Sequence, residues 1–267
     1  MRKYLKIFKI SLTQEFAYRL SFILWRLRNV MQILIFFFLW DAVLSGGRTE
    51  VFGYDKARIF TYAFVLILVR AFVLSSRSVD VAGQIANGEI TNLLLKPINY
   101  FRYWLTRDAS SKALNIIFGI FETTVLVLIL KPNIFWQSDP IILLAFILSL
   151  LIAMFLFFSL LMLTNFVPFW VPELSWGAQF LVIIVIVEFL SGSFFPLDVF
   201  PPVVYQILRF TPFPYLVFIP IKIYLGSFDT SLVLQSLVIG ITWSFILWKV
   251  MNYVWKKGLT VYEGVGR

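Results

Sequence analysis

The chain has 267 residues, of which 60% are hydrophobic, 19% aromatic and only 14% charged, against roughly a quarter charged in an ordinary soluble domain. Thirty Phe, nine Trp and eleven Tyr are too many for one water-solvated core, because polar residues are too few to cover it, and a soluble globular protein is excluded. Cys and His are absent, which removes disulfides, Cys/His metal sites, thiol nucleophiles and His-dependent triads, so no catalytic residue and no metal site is expected.

At about 20 residues per crossing, the length fits one compact transmembrane domain over 1–267, all-α in class. The start, MRKYLKIFKISLTQEFAYRL, sets Arg2, Lys3, Lys6 and Lys9 beside Leu5, Phe8, Leu12 and Phe16 at helical spacing, which predicts an amphipathic interface helix within 1–20. Its charges are interleaved with apolar residues and no small-residue cleavage site follows, so it does not read as a cleavable signal. Span one covers 22–44, with Arg26 and Arg28 snorkelling at its inner edge. A polar turn, SGGRTEVFGYD, leads to span two over 57–76, whose single charge is Arg70.

Residues 77–112 carry Arg77, Lys96, Arg102, Arg107 and Lys112 and read as a large loop of one sign on the cytoplasmic side. Within it, Asn87 is expected to cap a helix starting near Gly88, with Ile90, Leu93, Leu94 and Leu95 as an apolar stripe and Pro97 as its end. Such a stripe lies on the membrane surface or against a partner, and periodicity leaves the two readings even. Span three covers 113–130, span four 141–164 and span five 177–193, with Pro168 and Pro172 between the last two. From 194 to 226 the chain is apolar but cut by Pro196, Pro201, Pro202, Pro212, Pro214 and Pro220, which predicts short re-entrant helices at the rim of the bundle rather than a span. Span six covers 230–254.

Six spans put both termini on one side. With that side cytoplasmic, sixteen Lys+Arg lie inside, six outside, and Arg70 within the membrane, in agreement with the positive-inside rule. The basic surplus, a formal charge of +9, is then accounted for by cytoplasmic flanks and lipid headgroups, and nucleic acid is not expected as a partner. No G-x-x-x-x-G-K-[ST] occurs, so the chain does not cradle a nucleotide and is not expected to be an enzyme. Three ionisable residues fall in the spans: Arg70, Glu122 and Glu188. Intramembrane charges are functional by default, yet they also serve as glue between helices. Counting about 1.5 Å per residue puts both glutamates in the outer half and Arg70 in the inner half, which argues against a direct Arg–Glu pair.

Four stretches taken together carry a resemblance: GEITNLLLKPINYFRYWLTRD, LSGSFFPLDVFPPVVYQILRFTPFPY, the basic amphipathic start, and the tail KKGLTVYEGVG. Over nearly its whole length the chain resembles the membrane subunits of type-two ATP-binding-cassette (ABC) exporters, and within them a bacterial subgroup of small permeases often found as paired subunits. The resemblance implies a permease in the bacterial inner membrane that exports an amphiphile such as a drug, peptide, lipid or glycolipid. It implies a coupling helix over Asn87, Gly88, Glu89, Ile90, Leu93, Leu94 and Leu95, ended by Pro97, which docks on a separate ABC ATPase that holds ATP and Mg. A second permease subunit, identical or paralogous, would complete the pathway among membrane lipids. The proline-broken segment, with Gly192, Pro196, Pro201, Pro202, Pro212 and Pro214, would help close the outer exit. The competing reading is an ATP-independent transporter or channel that uses Glu122, Glu188 and Arg70 as its ion path.

Overall fold

The computed structural model describes residues 2–17, 19–45 and 50–262. Met1, Tyr18, the stretch 46–49 with Arg48, and the end of the tail motif over 263–267 lie outside the described residues. Among the described residues, five helical stretches are long and apolar enough to cross a membrane, and a sixth crossing follows if a helix pair bent by 54° counts as one span. The chain is an all-α, multi-pass membrane protein.

Helix α1 (Arg2–Ala17) is followed by α2 (Arg19–Ser45), the first crossing. A hairpin of β1 (Glu50–Val51) and β2 (Tyr54–Asp55) turns through Phe52 and Gly53, both with positive φ, and leads into α3 (Lys56–Val73). Asp55 caps α3 by accepting from Arg58 N at 2.7 Å. Twelve of the eighteen α3 residues are buried, which makes α3 the central rod of the bundle, packed on α2 and on three helices that follow it.

The chain then bends into α4 (Asp80–Ala86) and the single turn α5 (Thr91–Leu94). Next comes α6 (Tyr100–Leu130). Here the structure corrects the expected loop over 77–112: residues 100–112 continue span three as helix, so that crossing is 31 residues long. Asn99 starts it, accepting from Arg102 N at 3.0 Å just after Pro97. Helix α1 lies along these first turns of α6, with Lys3 Nζ on Pro97 O at 2.8 Å and Arg107 on Gln14 at 3.4 Å.

Helix α7 (Pro140–Asn165) is capped by Asp139 and carries proline in its first turn, where no intrahelical N–H is lost. The fifth crossing is composite. It consists of α8 (Ser175–Gln179), a π-helical stretch over Phe180–Val187 and the short α9 (Glu188–Leu190). Helices α10 (Pro202–Leu208) and α11 (Phe218–Tyr224) form a lid, and α12 (Thr230–Val261) is the last crossing.

The lid differs from the expected rim. Residues Leu216 to Ile219 and Ile221 are at most 2% exposed, so α11 plugs the core against α3 and α7, while α10 stays outside. Gly192 makes the entry into the lid possible. Its φ is +86°, and a Cβ there would stand 2.9 Å from Phe218 Cβ and from the Tyr62 hydroxyl. That hydroxyl donates to Gly192 O at 2.8 Å, and Phe218 N donates to Ser191 O at 2.9 Å. On the same end, Tyr54 donates to Asp198 at 2.6 Å, and Lys222 pairs with Asp198 at 3.2 Å. Burial, and then the Asp198 carboxylate, push the Tyr54 phenol well above its ordinary value, so it stays a donor.

Candidate functional site

The basic end of the bundle presents α4 and α5 on an aromatic platform. Tyr100 stacks on Trp255 with centroids 4.2 Å apart, and Phe101, Trp104, Phe166 and Phe169 close around them. Such pairs contribute about 0.5–1.5 kcal/mol each beyond their buried area. Gly258 lets α12 approach, since a Cβ there would overlap the Phe169 ring.

Ile90 is fully buried in this platform, with Val81 and Ile85 of α4 beside it, and Leu93 packs on its margin. Leu94 and Leu95 point the other way, 42% and 80% exposed. Exposed Asn87, Glu89, Asn92, Lys96 and Pro97 surround them. The expected stripe is therefore split: Ile90 anchors, and Leu94 and Leu95 form the outward surface.

Asn87 does not cap the start of a helix. It ends α4, donating its N–H to Gly83 O and Ile85 O, and Gly88 follows in the left-handed region at φ +76°. An Asn–Gly pair reads as a helix end because both tolerate that backbone. The Tyr262 hydroxyl bonds Gly88 O at 2.7 Å and lies 3.1 Å from Thr91 Oγ1. Two of the sequence motifs, the loop GEITNLLLKP and the described part of the tail, KKGLTVY, thus meet in space.

The bend between α3 and α4 has its own clamp. Lys112 is 4% exposed, and its ammonium donates to Phe72 O, Val73 O and Ser75 O at 2.8, 3.0 and 2.6 Å. An ammonium has three donors, and here two satisfy carbonyls that the end of α3 leaves open and the third a carbonyl just past its cap. One turn earlier on α6, Asp108 is 2% exposed and accepts from Ser76 Oγ, Arg77 N, Ser78 N and Ser78 Oγ at 2.7 to 3.0 Å. A lysine at a helix C-terminus and an aspartate at the next N-terminus both complement the helix dipoles. Two residues of α6 therefore hold both sides of one elbow. Asn165 reinforces it, donating to Ser78 O at 2.6 Å and accepting from Gln179.

The intramembrane charges are paired. Arg70 reaches Glu188 at 2.9 Å and Arg28 reaches the same oxygen at 3.1 Å, while Arg26 pairs with Glu122 at 3.4 Å and donates to Asn115. This overturns the depth count that separated Arg70 from Glu188, while Glu122 pairs with Arg26 and not with Arg70. Tyr62, six residues into α3, holds Gly192, so the fifth crossing turns into the lid about 9 Å below the start of α3. Glu188 lies about 6 Å further down and Arg70 about 12 Å below Tyr62, and an arginine side chain spans the remaining gap of about 6 Å.

The expected lid residues divide. Pro196, Pro212 and Pro214 are buried with Gly192, whereas Pro201 and Pro202 are exposed at the start of α10.

A family profile described as "ABC-2 family transporter protein" matches residues 30–266. The chain belongs to the ABC-2 family of transporters. Among curated proteins none matches it. As an ABC-2 permease it is the membrane subunit of an ABC transporter, and the family implies ABC ATPase partners. Sequence reasoning missed the permease's elbow clamp, Asp108 and Lys112, because their charges were counted as loop. The missed signal was Asn99 two residues after Pro97, a helix start that puts the following charges on a helix.

Proposed function

We propose that this permease exports an amphiphile, drawing on ATP bound with Mg to separate ATPase subunits, and that α5 is its coupling surface. The single observation that supports the reading is the pair Leu94 and Leu95: outward apolar side chains on a turn whose underside, Ile90, is locked into the aromatic platform. Exposed apolar groups mounted on a rigid base suit an apolar groove on a partner. In this reading both termini and α5 are cytoplasmic, the protein sits in a bacterial inner membrane, a second permease subunit completes the pathway, and the lid with Pro201 and Pro202 faces outward as the exit gate. An ion path through Arg70, Glu122 and Glu188 is the weaker reading, since both carboxylates are already bridged by guanidiniums between helices.

The test is co-purification of the tagged permease with its ABC ATPase, with ATP turnover measured on the complex and on the permease alone. The expected result is turnover only in the complex; turnover by the lone permease, or a permease that retains no ATPase, sinks the reading. Labels near Gly53 and Asn92 report sidedness, and the former should react only from outside.

A further inference from the structure

We propose that the half-open cleft between α2 and α3 binds the anionic headgroup of an amphiphile taken from the leaflet at the basic end of the bundle. The cleft offers about 20 Å³ of water-sized space and is lined by Asn29, Gln32, Ile33 and Phe36 on one side and by Leu66 and Arg70, among others, on the other. That volume admits one or two water-sized groups, enough for one or two oxygens of an anionic headgroup and too little for a whole ligand.

The donors point to an anion. Arg70 uses Nη2 on Glu188, while its Nη1 is buried without a hydrogen-bond partner. The side-chain amides of Asn29 and Gln32 make no hydrogen bond among the described residues. A guanidinium edge with adjacent amide donors is the chemistry that binds phosphate or carboxylate oxygens, and a buried donor without a partner favours a ligand that supplies an acceptor.

The surroundings point to an amphiphile. Gln32 shares a helix face with Ile35 and Leu39, three and seven residues on, and these are 63% and 53% exposed. An acyl chain anchored by its head at Gln32 would therefore run along α2 away from the basic end. Arg70 lies one turn from the basic end of α3, inside the membrane and in its half nearer that leaflet. The site rests on the exporter reading only for its role in loading cargo.

The experiment uses the full chain in neutral detergent and measures fluorescence binding of NBD-labelled phosphatidylglycerol and NBD-labelled phosphatidylcholine. The anionic probe should bind about tenfold more tightly. The double variant Asn29→Leu/Gln32→Leu, which leaves the Arg70–Glu188 bridge in place, should reduce the preference to within about twofold, and Arg70→Lys, which keeps charge but loses the fork, should fall between. Unlabelled dioctanoyl phosphatidylglycerol should displace the probe, and inorganic phosphate at the same concentration should not. Equal affinity for the two probes, an unchanged preference in the double variant, or displacement by inorganic phosphate overturns the site. No ATPase is present, so those results leave ATPase coupling untouched, whereas loss of ATPase retention with intact lipid preference defeats the coupling reading alone.

Discussion

Replacing Leu95 by aspartate is the sharpest test of α5 as a docking surface. Burying a leucine side chain fully contributes about 1.5–3 kcal/mol, and Leu95 is 80% exposed, so covering it on a partner contributes roughly 1.2–2.4 kcal/mol. Leu95→Ala removes most of that and should weaken ATPase binding about tenfold. Leu95→Asp also forces a carboxylate to be desolvated without a counterion, at several kcal/mol, and should weaken binding a hundredfold or more. Leu94, 42% exposed, should show about half the alanine effect. Ile90→Ala is the contrast: the side chain is fully buried beneath the surface, so the change should cost about 2–5 kcal/mol of packing and lower the melting temperature of the permease. The assay is the amount of ATPase retained on the tagged permease, read beside a thermal melt of the permease itself. Full retention and normal transport in Leu95→Asp would refute the assignment of α5. A Leu95→Asp protein that lost its fold would also contradict the structure, because an exposed position carries no such cost.

Three further outcomes follow from the polar contacts. Lys112→Met strands three carbonyls and Asp108→Ala strands two N–H groups and two hydroxyls, so each should cost about 2–4 kcal/mol, and a double-mutant cycle by thermal denaturation should show the pair to be non-additive. Glu188→Gln leaves Arg70 and Arg28 without their shared carboxylate and should destabilise by about 3–5 kcal/mol, more than Glu122→Gln, with any remaining transport still following ATP rather than a pH gradient across the vesicle. Gly192→Ala adds about 1–3 kcal/mol of backbone strain to a contact at 2.9 Å and should loosen the lid, read as faster proteolysis around α10, whereas Tyr62→Phe should lose only about 0.5–1.5 kcal/mol.

Hydropathy alone located the crossings, since runs such as IILLAFILSLLIAMFLFF admit no other solvent. What it could not supply was the depth at which helices meet. Glu188 and Arg70 pair because the fifth crossing turns into the lid below the level of the α3 start, and that turn depends on a contact between Gly192 and Tyr62, 130 residues apart in sequence. Asn87 misled for a local reason: Asn caps either end of a helix, and the following glycine, not the asparagine, decides which. The plug at α11 was hidden by its prolines. They exclude a long span, but Pro220 sits inside a buried seven-residue helix whose free backbone groups are surrounded by α3 and α7 rather than by lipid.

The central position of α3 ties these regions to one another. Its eighteen residues make a rod about 27 Å long, held about a third of the way along by Tyr62 on Gly192 and at its far end by the ammonium of Lys112, with Arg70 on Glu188 between them. The elbow that joins this rod to α4 and α5 is clamped on both sides from α6. A force on Leu94 and Leu95 therefore cannot bend the elbow without breaking buried charge-assisted hydrogen bonds, each contributing about 1.5–3 kcal/mol. Tilting α3 together with α6 keeps those bonds, because both partners of each contact then move as one. That motion would carry the Tyr62 hydroxyl with it, and that hydroxyl holds Gly192, where the chain turns into the lid.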